Sequence, residues 1–465
     1  MEKWNEIGKS PLEKWNMLRR KIIEKLQEWK RQEGRKPLVV KGVRQCGKTF
    51  IVQRFAEDNY EHVVYMNFVK QPQLSAAFEG SLDVNDIVMY LSTLLRGAVF
   101  EPGKTCIIFD EIQDCPQART SLKFFQTDGR YDVISTGSLL GVKGYGTKKK
   151  DGKKEYPRSV PVGYETIIDM YPLDFEEFLW ANGISPQVID KLRDCLGSLT
   201  PVPPAIHQRM RELLLQYTVV GGLPAAVNTF LATHDMRAVK ELQNTIIEEY
   251  EDDMVKYAED ADKPHIRQCF ESIPRQLAKE NKKFQYSVIK PSAKAATYGG
   301  SIQWIVDAGI VNRCHNLNIT ELPLDANAIE DVFKLYMSDT GLFVSMLADG
   351  TQFDILQGNL GAYKGAIFEN LIADIFGKMK RKLYYFRKES GLEIDFVMRY
   401  RGACTLVEVK ATSGNTKSSS TILKHPEKYH VYHCLKLGDY NIGTSASDGK
   451  ITTLPLYMAF LLTEV

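Results

Sequence analysis

Short apolar runs alternate with amphipathic stretches through the first third of the chain. The apolar runs predict strands, and the stretches between them have helical spacing. The strands are expected at residues 37–41, 62–68, 105–110, 131–136 and 166–171. Because strands that alternate with helices are typical of a parallel sheet covered on both faces, we predict an α/β fold with a doubly wound parallel sheet over residues 36–180.

Before this region, apolar residues recur at three- and four-residue spacing from Leu12 to Trp29. This pattern predicts an amphipathic helix, which we assign to residues 1–35. Its outer face is rich in Lys and Arg and is suited to a membrane surface or an acidic partner. Packing of the helix on the neighbouring core is the favoured interpretation.

The remaining two thirds of the chain predict three further segments. Residues 181–264 are largely helical, with a break at Val219–Pro224, and form a predicted helical lid. Residues 265–345 mix helices with a short strand pair, which predicts a winged-helix-like unit; a plain helical spacer is the alternative. Residues 346–465 predict a C-terminal α/β domain. Gly144–Lys154 is expected to be a surface loop, with contact to a polyanion as the alternative.

Composition adds few constraints. The chain has 465 residues and a formal net charge of +2, so nucleic-acid binding would need local basic patches. The 8 cysteines show no close pair, which suits a reducing compartment. A charged start predicts no signal peptide, and the apolar runs are too short for a bilayer. We therefore expect a cytoplasmic protein with no membrane partner.

The clearest chemical signal lies between the first predicted strand and the helix after it. Gly42-Val43-Arg44-Gln45-Cys46-Gly47-Lys48-Thr49 fits the phosphate-binding pattern G-x-x-x-x-G-K-[ST]. Main-chain N–H groups of this loop and of Phe50 would cradle the phosphates of ATP. Lys48 would reach the β- and γ-phosphates, and the Thr49 hydroxyl would bind Mg²⁺.

A second part of the same predicted site follows the strand at 105–110. Asp110 would hold Mg²⁺, and Glu111 would act as the general base for the attacking water. The alternative is that both acids cap the next helix. Thr136 and Ser138, at the end of another strand, are candidates to contact the γ-phosphate, or they form an ordinary turn.

A separate group of charged residues lies near the C-terminus. Glu369 is on a predicted helix, Asp395 on a strand, and Glu408 and Lys410 share one face of the next strand. Asp395 and Glu408 would hold metal, with Glu369 as a third carboxylate and Lys410 as the group that orients water or offsets charge. The alternative is a structural salt-bridge cluster, although burying so many charges favours a function.

With these motifs in place, the chain resembles the predicted bacterial and archaeal ATPases of the AAA superfamily that carry a C-terminal domain of unknown function. The resemblance covers residues from about 15 to 460. It is carried by the loop with its Arg44-Gln45 pair, by 110–113, 136–138, 171–178, 221–224 and 339–342, and by Glu369, Asp395 and Glu408-Val409-Lys410.

This resemblance implies ATP hydrolysis and a C-terminal domain similar to the restriction-endonuclease-like, PD-(D/E)xK fold. It also implies a helical lid and a winged helix. Relatives commonly have Gly-Arg shortly before the Tyr-Pro-Leu stretch, where this chain has Pro161–Glu165. An arginine acting on the γ-phosphate from there is therefore in doubt, and Arg119, Arg130 and Arg158 are alternatives.

The leading hypothesis is a Mg²⁺-dependent ATPase whose nucleotide state controls a nuclease-like domain that acts on DNA. The alternative is a nucleotide-driven switch or scaffold whose C-terminal domain binds nucleic acid or protein without cleavage. A third hypothesis is a signalling ATPase that forms a homo-oligomer through the lid and the winged helix.

Overall fold

The computed structural model describes residues 18–139, 149–150, 153–154, 163–257, 262–359, 363–410, 416–444 and 449–463. The chain divides into two compact units. The first contains the residues up to Pro172 together with Asp252–Lys263, and the second contains Leu173–Glu251 and Pro264–Val465.

The first unit alternates strands and helices along the chain. Its elements are α1 (Ile22–Arg31), β1 (Leu38–Gly42), α2 (Lys48–Asn59), β2 (His62–Asn67), α3 (Val84–Leu94), β3 (Thr105–Asp110), α4 (Pro116–Asp128), β4 (Asp132–Ser138), the short strands β5 (Lys149–Lys150) and β6 (Lys153–Lys154), and β7 (Thr166–Met170). The five longer strands form a parallel sheet in the order β2-β3-β4-β1-β7.

Helices cover both faces of this sheet. Ile22, Leu26 and Trp29 of α1 pack with α2 against one face, where apolar strand residues are fully buried. On the other face α3 and α4 bury a second apolar cluster around Phe109. The doubly wound parallel sheet is therefore confirmed, and α1 packs on the core as the favoured interpretation expected.

The segment predicted as a surface loop, Gly144–Lys154, lies outside the described residues except for two pairs. Lys149–Lys150 and Lys153–Lys154 form the antiparallel β5–β6 ladder.

The second unit begins with helices. They are α5 (Phe175–Ala181), α6 (Pro186–Ser198), α7 (Pro204–Val220), α8 (Pro224–Thr233), α9 (Met236–Tyr257), α10 (Lys263–Leu277), α11 (Tyr286–Ile289) and α12 (Ala295–Asp307). The last residues of α9, from Asp252 onward, and Lys263 of α10 belong to the first unit. Asp174 begins α5 with a capping box, since it accepts from the Glu177 amide while the Glu177 side chain accepts from the Asp174 amide. The break between α7 and α8 falls at Gly221-Gly222, as the sequence predicts.

The rest of the second unit is a mixed sheet with helices. Its elements are β8 (Val311–Leu317), β9 (Ala328–Met337), α13 (Thr340–Ser345), α14 (Thr351–Leu356), α15 (Lys364–Lys378), β10 (Leu383–Arg387), β11 (Glu393–Tyr400), β12 (Ala403–Lys410), α16 (Lys417–Leu423), α17 (Pro426–Tyr429), β13 (His433–Gly438), β14 (Gly443–Thr444) and β15 (Ile451–Pro455). The eight strands are ordered β14-β15-β13-β12-β11-β10-β8-β9.

The strand pair expected in a winged-helix-like unit lies within this sheet. β8 and β9 are antiparallel, and β8 also pairs in parallel with β10. The boundary predicted at 345/346 therefore runs through one hydrogen-bonded sheet.

Two sequence motifs more than a hundred residues apart meet in the second unit. The Gly222 amide donates to Asp339 Oδ2 at 2.7 Å, and Asp339 also caps α13 through the Leu342 amide. A Cβ on Gly341 would lie 2.6 Å from the Gly221 nitrogen, so this approach requires glycine. Lys378 of α15 forms an ion pair with Asp374, with 2.8 Å between Nζ and Oδ1. We call Gly221-Gly222, Asp339, Gly341, Asp374 and Lys378 the glycine clasp.

Within the described residues, no helix has both the length and the apolar character that crossing a bilayer requires.

Candidate functional site

The phosphate-binding loop connects the end of β1 at Gly42 to the start of α2 at Lys48. Gln45 and Gly47 have φ angles of 62° and 94°, which turn the chain sharply into the helix. Gly47 is the N-cap residue of α2 and, as a glycine, caps none of the first N–H groups of the helix with a side chain. This is the arrangement by which a helix N-terminus binds phosphate oxygens.

Close packing fixes the position of this loop. A Cβ on Gly42 would lie 2.2 Å from the Met170 carbonyl oxygen, so only glycine fits beside β7. Arg20, which is buried, donates to the Cys46 carbonyl at 3.1 Å and to the Tyr171 carbonyl at 2.6 Å. The sequence analysis missed Arg20 because nothing local distinguishes it from the other basic residues near α1.

Lys48 and Thr49 begin α2 at the mouth of the loop. Lys48 is buried, and its Nζ donates to the carbonyls of Gly42 at 3.1 Å and Val43 at 2.9 Å. Thr49 Oγ1 donates to Asp110 Oδ1 at 2.9 Å. Phe50 follows in the same turn, and Arg44 pairs with Asp253 outside the loop.

Asp110 ends β3 and is the centre of a hydrogen-bond network. Besides Thr49, its Oδ1 accepts from the Thr136 hydroxyl. Its Oδ2 accepts from the Tyr65 hydroxyl at 2.6 Å and from Asn67 Nδ2 at 2.7 Å. Tyr65 and Asn67 were missed, although both lie near the end of the strand predicted at 62–68, because the sequence does not show that this strand pairs with the strand at 105–110.

The strand order explains how these residues meet. β4 lies between β1 and β3, so Thr136 and Ser138 are at the carboxyl end of the strand that separates the loop from Asp110. In a parallel sheet the carboxyl ends share one edge, and ligands bind there. The structure thus brings Lys48, Thr49 and Asp110 together with the residues of β4.

Glu111 follows Asp110 in a left-handed conformation with φ of 55°. Its amide lies 3.4 Å from Thr136 Oγ1, and its carboxylate accepts from Gln113 Nε2 at 2.5 Å. Left-handed backbone is uncommon for a residue with a side chain and is concentrated at functional sites. Glu111 therefore lies at the same edge of the sheet as Asp110, with its side chain held by Gln113.

The structure does not identify any of the three arginine alternatives as a residue that contacts the γ-phosphate. Arg119 Nη2 pairs with Glu165 at 2.8 Å in a largely buried contact. Arg130 pairs with Asp128 and precedes β4, at the edge of the sheet opposite the loop. Arg158 lies outside the described residues.

The donor set beside the loop fits Mg²⁺. A threonine hydroxyl and an aspartate carboxylate are hard oxygen ligands, which this ion prefers. Their oxygens lie 2.9 Å apart, so both are at hand for one ion. Thr49 and Asp110 are the residues that would hold it.

The charged residues of the second unit form a second group. Glu369 of α15 is buried and accepts from Lys282 and, at 3.0 Å, from the Tyr336 hydroxyl. Lys334 of β9 is fully buried and lies 3.6 Å from Glu369 and 2.9 Å from Glu393. Although burial favours the neutral acid, the two lysines lower the pKa of Glu369 below its usual range.

Asp395, Glu408 and Lys410 lie on the adjacent strands β11 and β12. The antiparallel register pairs Phe396 with Val407, so one further step along both strands places Asp395 opposite Glu408. Asp395 Oδ2 accepts from the Val409 amide at 2.8 Å. Lys410 Nζ lies 2.9 Å from Glu408 Oε2, which confirms that these two side chains share a face.

Electrostatics couples these four residues. Burial, together with repulsion from Glu369, raises the pKa of Asp395 to about 7. Burial opposes the charge of Lys410, but Asp395 and Glu408 outweigh it and raise the pKa of this lysine. The four predicted residues are therefore close enough to influence one another's charge.

The sequence analysis missed the two lysines that neutralise Glu369. Lys334 had a detectable signal, since it is a charged residue within the apolar run Val332–Met337. Lys282 lies in a polar segment, Glu280–Lys283, that offers no such contrast. The carboxylates of this site are thus balanced partly by lysines from outside the predicted motif.

The carboxylates do not converge on one point. Among the described residues, only Glu61, His62 and Glu101 bring three potential ligand atoms within 4.8 Å of one another. That group is on the surface of the first unit, where Lys104 pairs with both glutamates. Glu369, Asp395 and Glu408 thus form no three-ligand group of this kind among the described residues.

Comparison with protein families divides the chain into three matched regions. Residues 34–179 match an AAA domain. Residues 211–352 match a domain of unknown function (DUF8612), and residues 364–457 match another domain of unknown function (DUF4143). No curated protein matches the chain.

Three solved structures are among those to which the chain is similar. A Walker-type ATPase of Pyrococcus abyssi has 13% identity and a TM-score of 0.40, covering 71% of this chain and 96% of its own. The Pif1 helicase from Bacteroides, solved with ADP-AlF3 and single-stranded DNA, has 12% identity, a TM-score of 0.24 and coverages of 44% and 50%. PCH-2 of C. elegans has 14% identity, a TM-score of 0.23 and coverages of 48% and 68%.

The AAA match agrees with the geometry of the first unit, in which a parallel five-stranded sheet carries the phosphate-binding loop between β1 and α2. Residues 34–179 are therefore an ATP-binding P-loop ATPase domain of the AAA kind.

Proposed function

We propose that the chain is a Mg²⁺-dependent ATPase whose nucleotide state controls the C-terminal, nuclease-like domain, and that this domain acts on DNA. The observation that carries the ATPase half is the contact of Thr49 Oγ1 with Asp110 Oδ1 at 2.9 Å, next to the buried Lys48. It joins the phosphate-binding loop to the acidic strand end in one site.

In this proposal each residue of the first unit has a defined role. The N–H groups at the start of α2 bind the phosphates, and Lys48 exchanges its loop carbonyls for phosphate oxygens. Thr49 and Asp110 would hold Mg²⁺, which would offset negative charge on the bound phosphates. Glu111 accepts the proton of the attacking water, and Thr136 transmits the state of the site through its bond to Asp110.

Nucleotide binding to the purified full chain tests the first half. We expect Lys48→Ala to weaken ATP binding by at least about ten-fold, because charge-assisted hydrogen bonds to phosphate are lost. The matched control is Lys41→Ala, which removes a lysine of β1 that lies 3.5 Å from Asp169 and outside the loop. Equal ATP affinity in wild type and Lys48→Ala would contradict the assignment.

The nuclease-like half rests on Asp395, Glu408 and Lys410. Two carboxylates and a lysine on adjacent strands are the groups that metal-dependent phosphodiester cleavage needs. The Asp395 carboxylate accepts the Val409 amide, and the charges of Lys334 and Lys410 act on it. In the proposed reaction Asp395 and Glu408 would hold a metal ion, which would stabilise charge on the phosphodiester, and Lys410 would orient the attacking water.

The arrangement of Glu369 favours a second candidate function. Its carboxylate is engaged by Lys282 and Tyr336, with Lys334 nearby, and it does not converge with Asp395 and Glu408. A site with one carboxylate neutralised by lysines is compatible with a domain that grips nucleic acid or protein without cleavage. This is the switch or scaffold hypothesis.

Cleavage of plasmid and linear DNA, with Mg²⁺ or Mn²⁺ and with or without ATP, separates the two functions. We expect cleavage by wild type and by the exposed-lysine control Lys424→Ala, and its loss in Lys410→Ala. A difference between reactions with and without ATP would support coupling. If wild type that binds ATP leaves DNA intact under both metals, the nuclease proposal is wrong and the binding function is favoured.

A further inference from the structure

A cleft of about 310 Å³ opens on the eight-stranded sheet, and its lining does not include Glu369, Asp395 or Glu408. Arg313 and His315 of β8 line it, together with residues at the start of β10. Cys314, between them, pairs with Lys334 in the strand ladder and faces Glu369. Because neighbouring strand residues point to opposite faces, Arg313 and His315 lie on the face opposite Glu369.

Two buried polar atoms in this cleft lack a hydrogen-bond partner among the described residues. They are Nε of Arg313 and Nδ1 of His315. Buried nitrogen atoms are almost always hydrogen-bonded, so two such atoms in one cleft indicate a ligand or water that meets them there. Both side chains lie two residues apart on one strand and therefore face the same space.

Charge determines which ligand suits the cleft. The Arg313 guanidinium is stacked 5.0 Å from the Phe333 ring centroid and makes no ion pair with the described residues. Arginine keeps its charge at any ordinary pH, so this cation is available to an anion. Arg381 donates to the carbonyls of Arg399 and Leu462 and adds a second positive group to the lining.

Acidic residues limit the size of that anion. Asp325 is engaged by Lys382 at 3.0 Å and by the Tyr384 hydroxyl. Glu330 also lines the cleft and is exposed. These carboxylates would repel an extended polyanion. A ligand with one phosphate group could bind Arg313 through that group and place the polar rest of the molecule near Glu330. The volume is at the lower end of the range for small-molecule sites.

We propose that this cleft is a binding site for a small phosphate ester, with Arg313 as the principal phosphate ligand and His315 as a second one. The site is separate from the phosphate-binding loop and from Asp395 and Glu408. Its ligand contacts come entirely from the second unit.

Calorimetric titration of the full chain with inorganic phosphate and with ribose 5-phosphate tests this proposal. Lys48→Ala serves as a parallel background, because it removes the contribution of the phosphate-binding loop. We expect saturable binding of ribose 5-phosphate in both backgrounds and a loss of about ten-fold or more in affinity in Arg313→Gln. His315→Gln should weaken binding less, and Arg313→Lys should restore part of it, since the charge remains.

The matched control is Arg237→Gln, which removes another arginine of the second unit that lies over a phenylalanine, Phe353. It should bind as wild type does. Thermal unfolding of each variant identifies one that fails to fold, in which case His315→Gln carries the test. Unchanged affinity in Arg313→Gln and His315→Gln would overturn the proposal.

A DNA oligonucleotide is the third probe. Weak or Arg313-independent oligonucleotide binding, beside Arg313-dependent binding of ribose 5-phosphate, supports the small ester. Oligonucleotide binding that depends on Arg313, with no binding of phosphate or ribose 5-phosphate, would overturn it in favour of a nucleic-acid contact.

Discussion

Asp110 is the residue on which most of the ATP site depends. Its two carboxylate oxygens accept hydrogen bonds from Thr49, Thr136, Tyr65 and Asn67, which come from three other segments of the first unit. A carboxylate with this many donors is fixed in position before any ligand arrives. Such prior order is what an ion-binding and catalytic site requires.

At the residue scale, Glu111 should affect ATP hydrolysis more than ATP binding. In Glu111→Gln the side chain keeps its shape but cannot accept a proton, so we expect turnover to fall by about 10²-fold or more with little change in ATP affinity. Single-turnover hydrolysis and equilibrium binding of ATP measure the two effects. Gln113→Ala is the control, because it removes the contact to Glu111 and leaves the base. Turnover near the wild-type level in Glu111→Gln would exclude this glutamate as the base.

Asp374 predicts a pH effect on stability. Burial, and then repulsion from Asp339, raise its pKa to about 6 despite Lys378. Because this pKa is raised on folding, the stabilising contribution of Asp374 is fully present below its ordinary pKa of 3.8 and is lost as pH rises through about 6. Asp374→Asn cannot ionise, so its free energy of unfolding relative to wild type should rise from pH 4 to pH 8.

Between pH 4 and pH 8 the free energy of unfolding of Asp374→Asn should rise relative to wild type by at most about 3 kcal/mol. Urea unfolding at these two pH values measures the change. Asp349→Asn is the contrasting variant. Asp349 has a lowered pKa because it is hydrogen-bonded to Lys240, so the relative stability of this variant should not rise with pH. A parallel pH dependence in wild type and Asp374→Asn would contradict the account.

At the scale of elements, the glycine clasp joins the turn between α7 and α8 to α13 and α15. A Cβ on Gly222 would lie 2.0 Å from the Leu173 carbonyl oxygen and 2.9 Å from Lys378 Nζ. We expect Gly222→Ala to lower the free energy of unfolding by about 1–3 kcal/mol, because the backbone must shift. Urea unfolding at neutral pH measures this change.

Gly299 provides the matched control for Gly222. It lies within α12, and a Cβ there would meet nothing within 4 Å. Gly299→Ala should be neutral or stabilise the protein by up to about 1 kcal/mol, since alanine favours helix. If both variants lose similar stability, close packing at Gly222 is not the reason for the glycine.

The strands of the first sheet could be predicted because each is marked by a local pattern in the sequence. All five strands of the first sheet were predicted within about two residues, because each is a short apolar run followed by helical spacing. A short strand pair was predicted around Gly309-Ile310-Val311, near the start of β8, but the pairing of β8 with β10 was not predicted. That pairing joins Leu383 to Cys314, and no spacing in the sequence records so distant a contact.

Contacts between distant parts of the sequence were also missed in the ATP site and around Glu369. Lys48, Thr49 and Asp110 belong to motifs with fixed spacing, so their proximity could be predicted. Tyr65 and Asn67 reach Asp110 across the sheet, and Lys334 reaches Glu369 from another strand. These partners are set by strand order, which the sequence analysis did not establish.

At the scale of the whole molecule, the chain combines an AAA-type ATPase domain with a unit built on a mixed sheet that carries its own charged group. We propose that the first unit binds ATP and that the second makes a regulated contact with DNA. The proposed regulation of the second unit by nucleotide depends on the ATPase assignment of the first unit.

The most direct test is steady-state ATP hydrolysis by the purified full chain across a range of Mg²⁺ concentrations, with wild type beside Asp110→Asn and the surface control Asp114→Asn. The account predicts saturable turnover that requires Mg²⁺, is retained in Asp114→Asn and falls by about 10²-fold or more in Asp110→Asn. Turnover without a divalent metal, or undiminished turnover in Asp110→Asn, would contradict it.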